Sequence, residues 1–294
     1  MFRVLGEIAV DGHSVARRRE RELLGLLVAA RGRPVAVERI VEELWDADAG
    51  RSAVQVVVSR LRALLDPGRA GPARVITTPA GYHLEAEPDE VDVWVFEELA
   101  ERSLSATTPA DRVVLGTRAD ELWSGEPYAE CEAPSLRAEA ARLVELHVTV
   151  QESRAEALLS LGHQAAAVRL LAPVAPVHPY REQLWALLAR AQYACARQAD
   201  ALSTLATLRS RLAEDLGVDP SPLVRAMEQS ILAQDPGLTA GPSSRQDTPS
   251  RVRIRCRSHR VSPTTSATAR TAPSTHRPLS EAIHAWRTAR PIVT

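Results

Sequence analysis

Residues 51–67 of the chain read RSAVQVVVSRLRALLDP, and this stretch decides the fold of the first domain. Its apolar side chains recur with the spacing of one buried stripe along an α-helix, at Val54, Val58, Leu61 and Leu65. The sequence Asp66-Pro67-Gly68 stops the helix, because proline cannot continue it. The pattern therefore predicts a helix from Ser52 to Leu65.

The opposite face of this helix carries no acidic residue. Its members are Ser52, Gln55, Val56, Ser59, Arg60 and Ala63, with Arg51 and Arg62 at its margins. Arginine can donate two hydrogen bonds to guanine, glutamine can pair with adenine, and valine can contact a thymine methyl group. The face therefore suits the major groove of DNA. The alternative is an ordinary solvated face that carries arginines.

Two helices are predicted before this one. The first begins at Arg18, ends before Gly32 and Pro34, and turns inward an apolar stripe of Leu23, Leu24, Leu27 and Ala30. The second runs from Val37 to Trp45 and buries Ile40, Val41, Leu44 and Trp45. Together with the third helix they predict a helix-turn-helix domain.

Short strands are predicted on both sides of the helices. Residues 2–10 predict one strand, and a second extended piece is expected at Ser14–Ala16. Residues 74–84, RVITTPAGYHL, predict two strands joined by a turn at Pro79-Ala80-Gly81. A hairpin directly after the third helix is the wing of a winged helix.

From Asp92 onward the sequence predicts almost continuous helix, with a long helix from about Ser135 to Leu161 and an internal repeat. GHQAAAVRLL, which starts at Gly162, aligns with ARQADALSTL, which starts at Ala196, at an offset of 34 residues. This is the period of tetratricopeptide repeats, whose paired helices bury a shared core only when they stack. Residues 91–237 are therefore predicted to form an all-α, tetratricopeptide-like domain.

Several of these stretches resemble one family. RPVAVERIVEELW, VQVVVSRLRALLDP and VITTPAGYHLEAE resemble the OmpR-type winged helix as it occurs in the Streptomyces antibiotic regulatory protein (SARP) family of transcriptional activators. LWSGEPY and HPYREQLWALLARAQYACARQADAL resemble the bacterial transcriptional activation domain of the same family. Ala196 stands where the family usually has glycine between repeat helices, and alanine is expected to cost little there.

The resemblance implies roles for side chains of the third helix. Arg60 stands where the family places an arginine in the major groove, and Arg62 stands where an arginine meets a phosphate. The other candidates for DNA contact on this helix are Arg51, Ser52, Gln55, Val56 and Ser59.

Further candidates lie outside this helix. Thr77 matches a wing position that contacts the DNA backbone. Thr78 stands where the family's wing commonly has an arginine that reaches the minor groove, and threonine is too short for that contact. Trp45 matches a position where the indole N–H meets the DNA backbone, with a core tryptophan as the alternative. Tyr82 is predicted to belong to the wing core, with a DNA contact as the alternative.

Charge is distributed unevenly along the chain. Residues 1–84 contain 13 Arg and 10 acidic residues, residues 85–238 contain 13 Arg and 25 acidic residues, and residues 239–294 contain 10 Arg and 2 acidic residues. The acidic middle suits a basic partner, and the resemblance implies that it docks protomers on DNA or contacts RNA polymerase. A second candidate polymerase contact, or otherwise a solvated loop, is the acidic run Glu42, Glu43, Asp46 and Asp48.

The last segment, residues 238–294, is predicted to be disordered. It is rich in Ser, Thr, Pro and Arg and shows no apolar periodicity, so it cannot bury enough apolar surface to fold. Its basic run RVRIRCRSHR, residues 251–260, is either a phosphate-binding arm or a solvated linker.

Several classes of protein are excluded. The sequence carries none of the phosphate-binding, zinc-protease or nucleophile motifs of common enzymes, so no catalytic role, cofactor or metal is predicted. Cys131, Cys195 and Cys256 are too widely spaced for a zinc knuckle and odd in number for a disulfide framework. The longest apolar run, Leu23–Ala30, is too short to span a membrane. We therefore expect a cytoplasmic protein.

These observations predict a mainly α protein with a winged helix over residues 1–90, an activation domain over 91–237 and a tail over 238–294. The function expected from the resemblance is activation of transcription at a secondary-metabolite gene cluster. Protomers would associate on direct repeats in double-stranded promoter DNA and recruit RNA polymerase. The alternatives are a protein-interaction adaptor and a repressor built on the same two domains. The sequence identifies no effector ligand.

Overall fold

The computed structural model describes residues 1–45, 50–66 and 73–238. The predicted tail from residue 239 onward and the predicted acidic positions Asp46 and Asp48 lie outside these ranges. Within the described residues, no helix is both long enough and apolar enough to cross a lipid bilayer.

The first part of the chain has the elements of a winged helix. Its strands and helices are β1 (Phe2–Arg3), β2 (Ala9–Val10), β3 (His13–Ser14), α1 (Arg18–Ala29), α2 (Val37–Leu44), α3 (Arg51–Leu65), β4 (Val75–Thr78) and β5 (Gly81–Leu84). Strands β1, β2 and β3 form an antiparallel sheet, and β4 and β5 form a hairpin in which Thr78 pairs with Gly81. The predicted winged helix-turn-helix is confirmed.

The prediction of one strand over residues 2–10 is wrong. Phe2 pairs with Val10, so the segment folds back on itself and contributes both β1 and β2. The turn contains Gly6, whose φ of +145° is rarely adopted by residues with a side chain. A Cβ atom at this position would also overlap the Ser124 hydroxyl, which would have to move.

The amphipathic pattern of α3 is confirmed. The predicted stripe is buried, with Val54, Val58, Leu61 and Leu65 all at most 6% exposed. Val57 joins the same stripe, because its position lies next to those of Val54 and Leu61 on the helix surface. The stripe packs against α1 and α2, which fixes the opposite face of α3 toward solvent.

The second part of the chain is helical, as predicted. Its helices are α4 (Asp92–Ser105), α5 (Pro109–Asp120), α6 (Pro134–Ser160), α7 (Gln164–Val174), α8 (Glu182–Ala194), α9 (Gln198–Arg211) and α10 (Pro222–Leu232). Each helix from α5 to α10 packs against the one before it. Helices α7 and α9 begin at residues 164 and 198, an offset that agrees with the 34-residue repeat.

The turns before α7 and α9 each contain a residue with a positive φ angle. Gly162 has a φ of +77°, and Ala196, 34 positions later, has a φ of +60°. The expectation that alanine costs little at this turn is wrong, because the turn places a Cβ in the left-handed region, at a cost of roughly 1 kcal/mol.

Apolar side chains form two hydrophobic cores. The first contains residues from both sides of position 90, among them Leu5, Leu61, Phe96, Leu136 and Leu143. The second fills the repeat helices and includes Leu171, Trp185, Leu205, Val224 and Ile231. The winged helix therefore shares its core with α4 and with the first half of α6.

Hydrogen bonds reinforce this shared core. The buried carboxylate of Asp92, at the start of α4, accepts hydrogen bonds of 2.9–3.0 Å from the main-chain N–H groups of Val4 and Leu5. In the loop before α6, the N–H of Tyr128 donates to Val4 O at 2.7 Å, and that of Ser124 donates to Leu5 O at 2.9 Å. The segment after β1 is thus hydrogen-bonded to two parts of the helical region.

Candidate nucleic-acid interface

The exposed face of α3 gathers most of the predicted DNA contacts. Its solvent-exposed side chains are Arg51, Ser52, Gln55, Val56, Ser59, Arg60 and Ala63. Val56 is 48% exposed, which is unusual for a large apolar side chain in a helix that buries its other valines. Because the helix is held by its buried stripe, these side chains share one fixed surface, which we call the α3 face.

Arg60 has an acidic neighbour that the sequence analysis missed. Its Nη1 atom lies 3.8 Å from Oε1 of Glu20, which belongs to α1 and is 5% exposed. Glu20 lies on the same side of α1 as Leu23, Leu24 and Leu27. An acid on an apolar stripe is a signal of a buried carboxylate, but the sequence did not show which arginine it faces.

Arg62, predicted to meet a phosphate, joins α3 to the wing. Its Nε and Nη2 atoms donate to Val75 O at 2.9 and 2.7 Å, and Nη2 also donates to Thr77 Oγ1 at 2.7 Å. Arginine has five N–H donors, so the two on Nη1 lie outside these three hydrogen bonds. The contact places the side chain of Arg62 beside that of Thr77 on β4.

The wing packs against the extended segment before α2. Val35 and Tyr82 exchange main-chain hydrogen bonds of 2.7 and 3.0 Å, and a Cβ on Gly81 would overlap Val35 O. Tyr82 is 8% exposed and belongs to the first core, in agreement with its predicted place in the wing core. The Thr78 hydroxyl donates to Gly81 O at 3.2 Å, so it stays within the hairpin turn.

Trp45 lies at the end of α2. It is half-buried and packs against the first core, which agrees with the alternative of a core tryptophan. The guanidinium carbon of Arg19 lies 5.1 Å from the centre of its ring, within the range of a cation–π contact. Contact of its indole with DNA stays a prediction.

The other arginines near the start of α1 face acidic residues. Arg18 Nε lies 3.1 Å from Glu22 Oε1, and Arg21 Nη2 lies 3.0 Å from Glu130 Oε2. Glu22, which is fully buried, also accepts a hydrogen bond of 3.1 Å from the Glu132 N–H. The Arg21–Glu130 ion pair and the hydrogen bond from the Glu132 N–H connect α1 to the loop before α6.

The described residues contain no cluster of metal-ligating side chains. No three His, Cys, Asp or Glu side chains of those residues are arranged to hold a metal ion. Burial raises the pKa of the Cys131 thiol to about 12, which keeps it protonated at neutral pH.

Two family matches cover most of the described chain. Residues 14–84 match the family described as "Transcriptional regulatory protein, C terminal", and residues 91–232 match the "Bacterial transcriptional activator domain". The α3 face lies in the first match and the repeat helices lie in the second. The fold and these matches define a transcriptional regulator with a winged helix and a helical activator domain.

Similar proteins identify the family of transcriptional regulators to which the chain belongs. The chain is 34% identical over 248 residues to the regulatory protein AfsR of Streptomyces coelicolor, covering 81% of the chain but only 24% of AfsR. It is 32% identical over 234 residues to the regulatory protein DnrI of Streptomyces peucetius, covering 75% of the chain and 86% of DnrI. The chain belongs to the SARP family of transcriptional regulators.

A solved structure has the same fold. It is Mycobacterium tuberculosis EmbR in complex with a low-affinity phosphopeptide, with a TM-score of 0.70 and 29% sequence identity. The alignment covers 81% of this chain and 67% of that one.

Proposed function

We propose that the chain is a sequence-specific DNA-binding activator that reads the major groove with the α3 face. The observation that carries this proposal is an exposed helix face whose own side chains include no acid and combine Arg60, Gln55 and Val56. Each of these side chain types has a partner on a base edge in the major groove. The rigid support of α3 by the first core keeps that surface ready to bind.

The wing and Arg62 supply backbone contacts in this proposal. Arg62 already bonds Val75 O and Thr77 Oγ1, so the N–H groups on Nη1 are the ones available for a phosphate. Such contacts add affinity and hold the register of the protein on DNA, whereas the base contacts of Arg60 add sequence preference.

The proposed targets are direct repeats at promoters of secondary-metabolite gene clusters. Membership of the SARP family and the similarity to the regulatory proteins AfsR and DnrI support this choice. Two protomers bind adjacent repeats, and the acidic helical region contacts RNA polymerase. The protein acts in the cytoplasm, without catalytic activity of its own.

The test is titration of the full chain against genomic fragments at two salt concentrations. Selective retention of fragments that contain paired repeats is the expected result, with affinity falling as salt rises because phosphate contacts release counterions. Equal binding to all fragments would contradict sequence-specific recognition. Run-off transcription with purified RNA polymerase then separates an activator from a repressor by the sign of the change in transcript yield.

An adaptor function is a second candidate, favoured by Thr78. Its hydroxyl stays within the turn and its side chain is too short to enter a minor groove, so the wing gives DNA less to bind. Absence of salt-dependent binding to any fragment, together with capture of a protein partner by the winged helix, is the result expected of an adaptor.

A further inference from the structure

Glu20 is a buried carboxylate with an incomplete set of partners. It is 5% exposed, and its Oε1 atom accepts no hydrogen bond from any residue that the structure describes. Two guanidinium groups lie near it, with Arg60 Nη1 and Arg17 Nη1 each at 3.8 Å from Oε1. Both arginines are mainly exposed, with 56% and 68% of their side-chain surfaces open to solvent.

Glu22, two positions along the same helix, is a buried carboxylate with several hydrogen-bond donors. Glu22 is fully buried, and it accepts hydrogen bonds from Arg18, Arg19 and the Glu132 N–H. Burial of a charge is costly unless hydrogen bonds compensate for it. Glu22 has that compensation, whereas Glu20 is left with the attraction of two arginines at a distance too long for hydrogen bonds.

The surroundings of Glu20 strengthen that attraction. The carboxylate lines a groove of about 430 Å³ between the start of α1 and the second half of α3. Apolar groups, among them Val15, Ala63 and Leu64, form much of the remaining wall. A charge pair beside apolar walls is screened less than one surrounded by water, so Glu20 acts on Arg60 more strongly than an exposed acid would.

We propose that Glu20 is a positioning residue that sets the orientation of Arg60 for base reading. The carboxylate attracts Nη1 of Arg60 and thereby restricts the rotation of a long side chain. A guanidinium has two edges that can form paired hydrogen bonds. With Nη1 turned toward Glu20, the edge formed by Nε and Nη2 is left for the two acceptors of a guanine. This inference rests on the proposed function of the α3 face.

The test uses sequence preference, which a general change of charge does not lower. The probe is a duplex selected from a randomised library by the wild-type chain, and the base pair read by Arg60 is the one at which Arg60→Ala loses discrimination. Glu20→Gln keeps the shape of the side chain and removes its charge. We expect discrimination at that base pair to fall by about tenfold, a part of the value of one good bidentate contact.

Non-specific affinity gives an independent readout. Removal of a negative charge near DNA favours binding to any sequence, so Glu20→Gln is expected to bind scrambled duplex at least as tightly as the wild type. Glu42→Gln, on the exposed side of α2, changes the net charge by the same amount and is expected to keep the preference intact. Equal loss of preference in both variants would overturn the proposal.

A double-mutant cycle isolates the pair. In an Arg60→Ala background, Glu20→Gln is expected to cause no further loss of discrimination, because its only route to the base is Arg60. Glu20→Asp keeps the charge and is expected to retain part of the preference, which covers the case in which Glu20→Gln fails to fold. Additive losses, or a Glu20→Asp variant with no preference at all despite a native melting temperature, would refute positioning.

The proposed function and the positioning role of Glu20 can be refuted separately. If the wild-type chain selects no sequence from the library, the proposed function is wrong. If it selects a sequence and Glu20→Gln keeps full discrimination at the Arg60 base pair, only the positioning role is wrong.

Discussion

The carboxylate of Asp92 accepts a 3.0 Å hydrogen bond from the main-chain N–H of Leu5, across 87 positions of sequence. Leu5 lies before both family matches, and Asp92 lies within the second one. Both residues are nonetheless buried. Asp92 also accepts from Val4 and from its neighbour Val93. A single side chain thus satisfies three main-chain donors where the winged helix meets α4.

Replacement of Asp92 by Asn is expected to destabilise both parts of the chain together. The amide nitrogen of Asn faces main-chain N–H donors and leaves at least one unsatisfied, at a cost of about 2 kcal/mol. Urea unfolding followed by circular dichroism should show one transition moved to lower denaturant. Asp89→Asn, at an exposed position, serves as the control and should leave the midpoint unchanged. Two separate transitions would contradict the shared core.

Replacement of Ala196 by Gly is expected to stabilise the repeat helices. Glycine adopts the observed φ of +60° without the strain that a Cβ causes, although it loses more entropy on folding. We expect a net gain of about 0.5 kcal/mol. The matched variant is Gly162→Ala, which introduces the same strain at the equivalent turn and should cost about 1 kcal/mol. Chemical denaturation of both variants, beside the wild type, measures the two signs.

The ion pair between Arg74 and Glu90 is expected to make stability depend on pH in acid. Arg74 Nη2 donates to Glu90 Oε1 at 2.6 Å, and this contact, with a hydrogen bond from the Glu87 N–H, lowers the pKa of Glu90 from 4.5 to about 2. A lowered pKa in the folded state means that ionised Glu90 stabilises the fold above pH 4.5. That contribution disappears as the pH falls toward 2.

The comparison that checks this pH effect is Glu90→Gln against the wild type. The variant should lose about 1 kcal/mol at neutral pH, a value reduced for solvent screening of a partly exposed pair. The two melting curves should converge as the pH drops from 4.5 to 2. A difference that stays constant over this range would show that the ion pair is not its cause.

Arg62 and Arg60 are expected to differ in how they affect DNA binding. Arg62→Ala removes the hydrogen bonds to Val75 O and Thr77 Oγ1, so it should loosen the wing and weaken binding to all sequences alike. Arg60→Ala should cost about 1–3 kcal/mol on the selected duplex and relax the preference. Binding curves on selected and scrambled duplexes distinguish the two, and equal losses on both duplexes from both variants would contradict the division of roles.

The sequence predicted those elements whose structure depends on residues that lie close together in the chain. The stripe of α3, the wing hairpin and the 34-residue offset follow from residue spacing alone, and the structure confirms them. The fold-back of residues 2–10 was not predicted, because the turn at Gly6 is held by contacts with residues far along the chain, such as the hydrogen bond from the Ser124 N–H to Leu5 O. Spacing also identified Ala196 as a turn residue but not the sign of its φ.

The candidate site likewise contains features that the sequence predicted and features that it did not. Periodicity placed Gln55, Val56 and Arg60 on an exposed face, since the opposite stripe had to be buried. Two of the three hydrogen bonds of Arg62 go to a main-chain carbonyl, and every residue has one, so no side-chain pattern could indicate that acceptor. The pairing of Glu20 with Arg60 depends on how α1 crosses α3, which residue order does not fix.

The core that unites the winged helix with α4 and α6 has a consequence for the proposed function. Because α6 contributes side chains to both hydrophobic cores, the direction in which the repeat helices point would be set by the angle at which α3 enters a DNA groove. Moving the operator by half a turn, about 5 base pairs of a 10.5-base-pair helix, would carry the helical region to the far side of the duplex from RNA polymerase. A shift by a full turn would return the helical region to its original side. Activation would then depend on the rotational phase between operator and promoter.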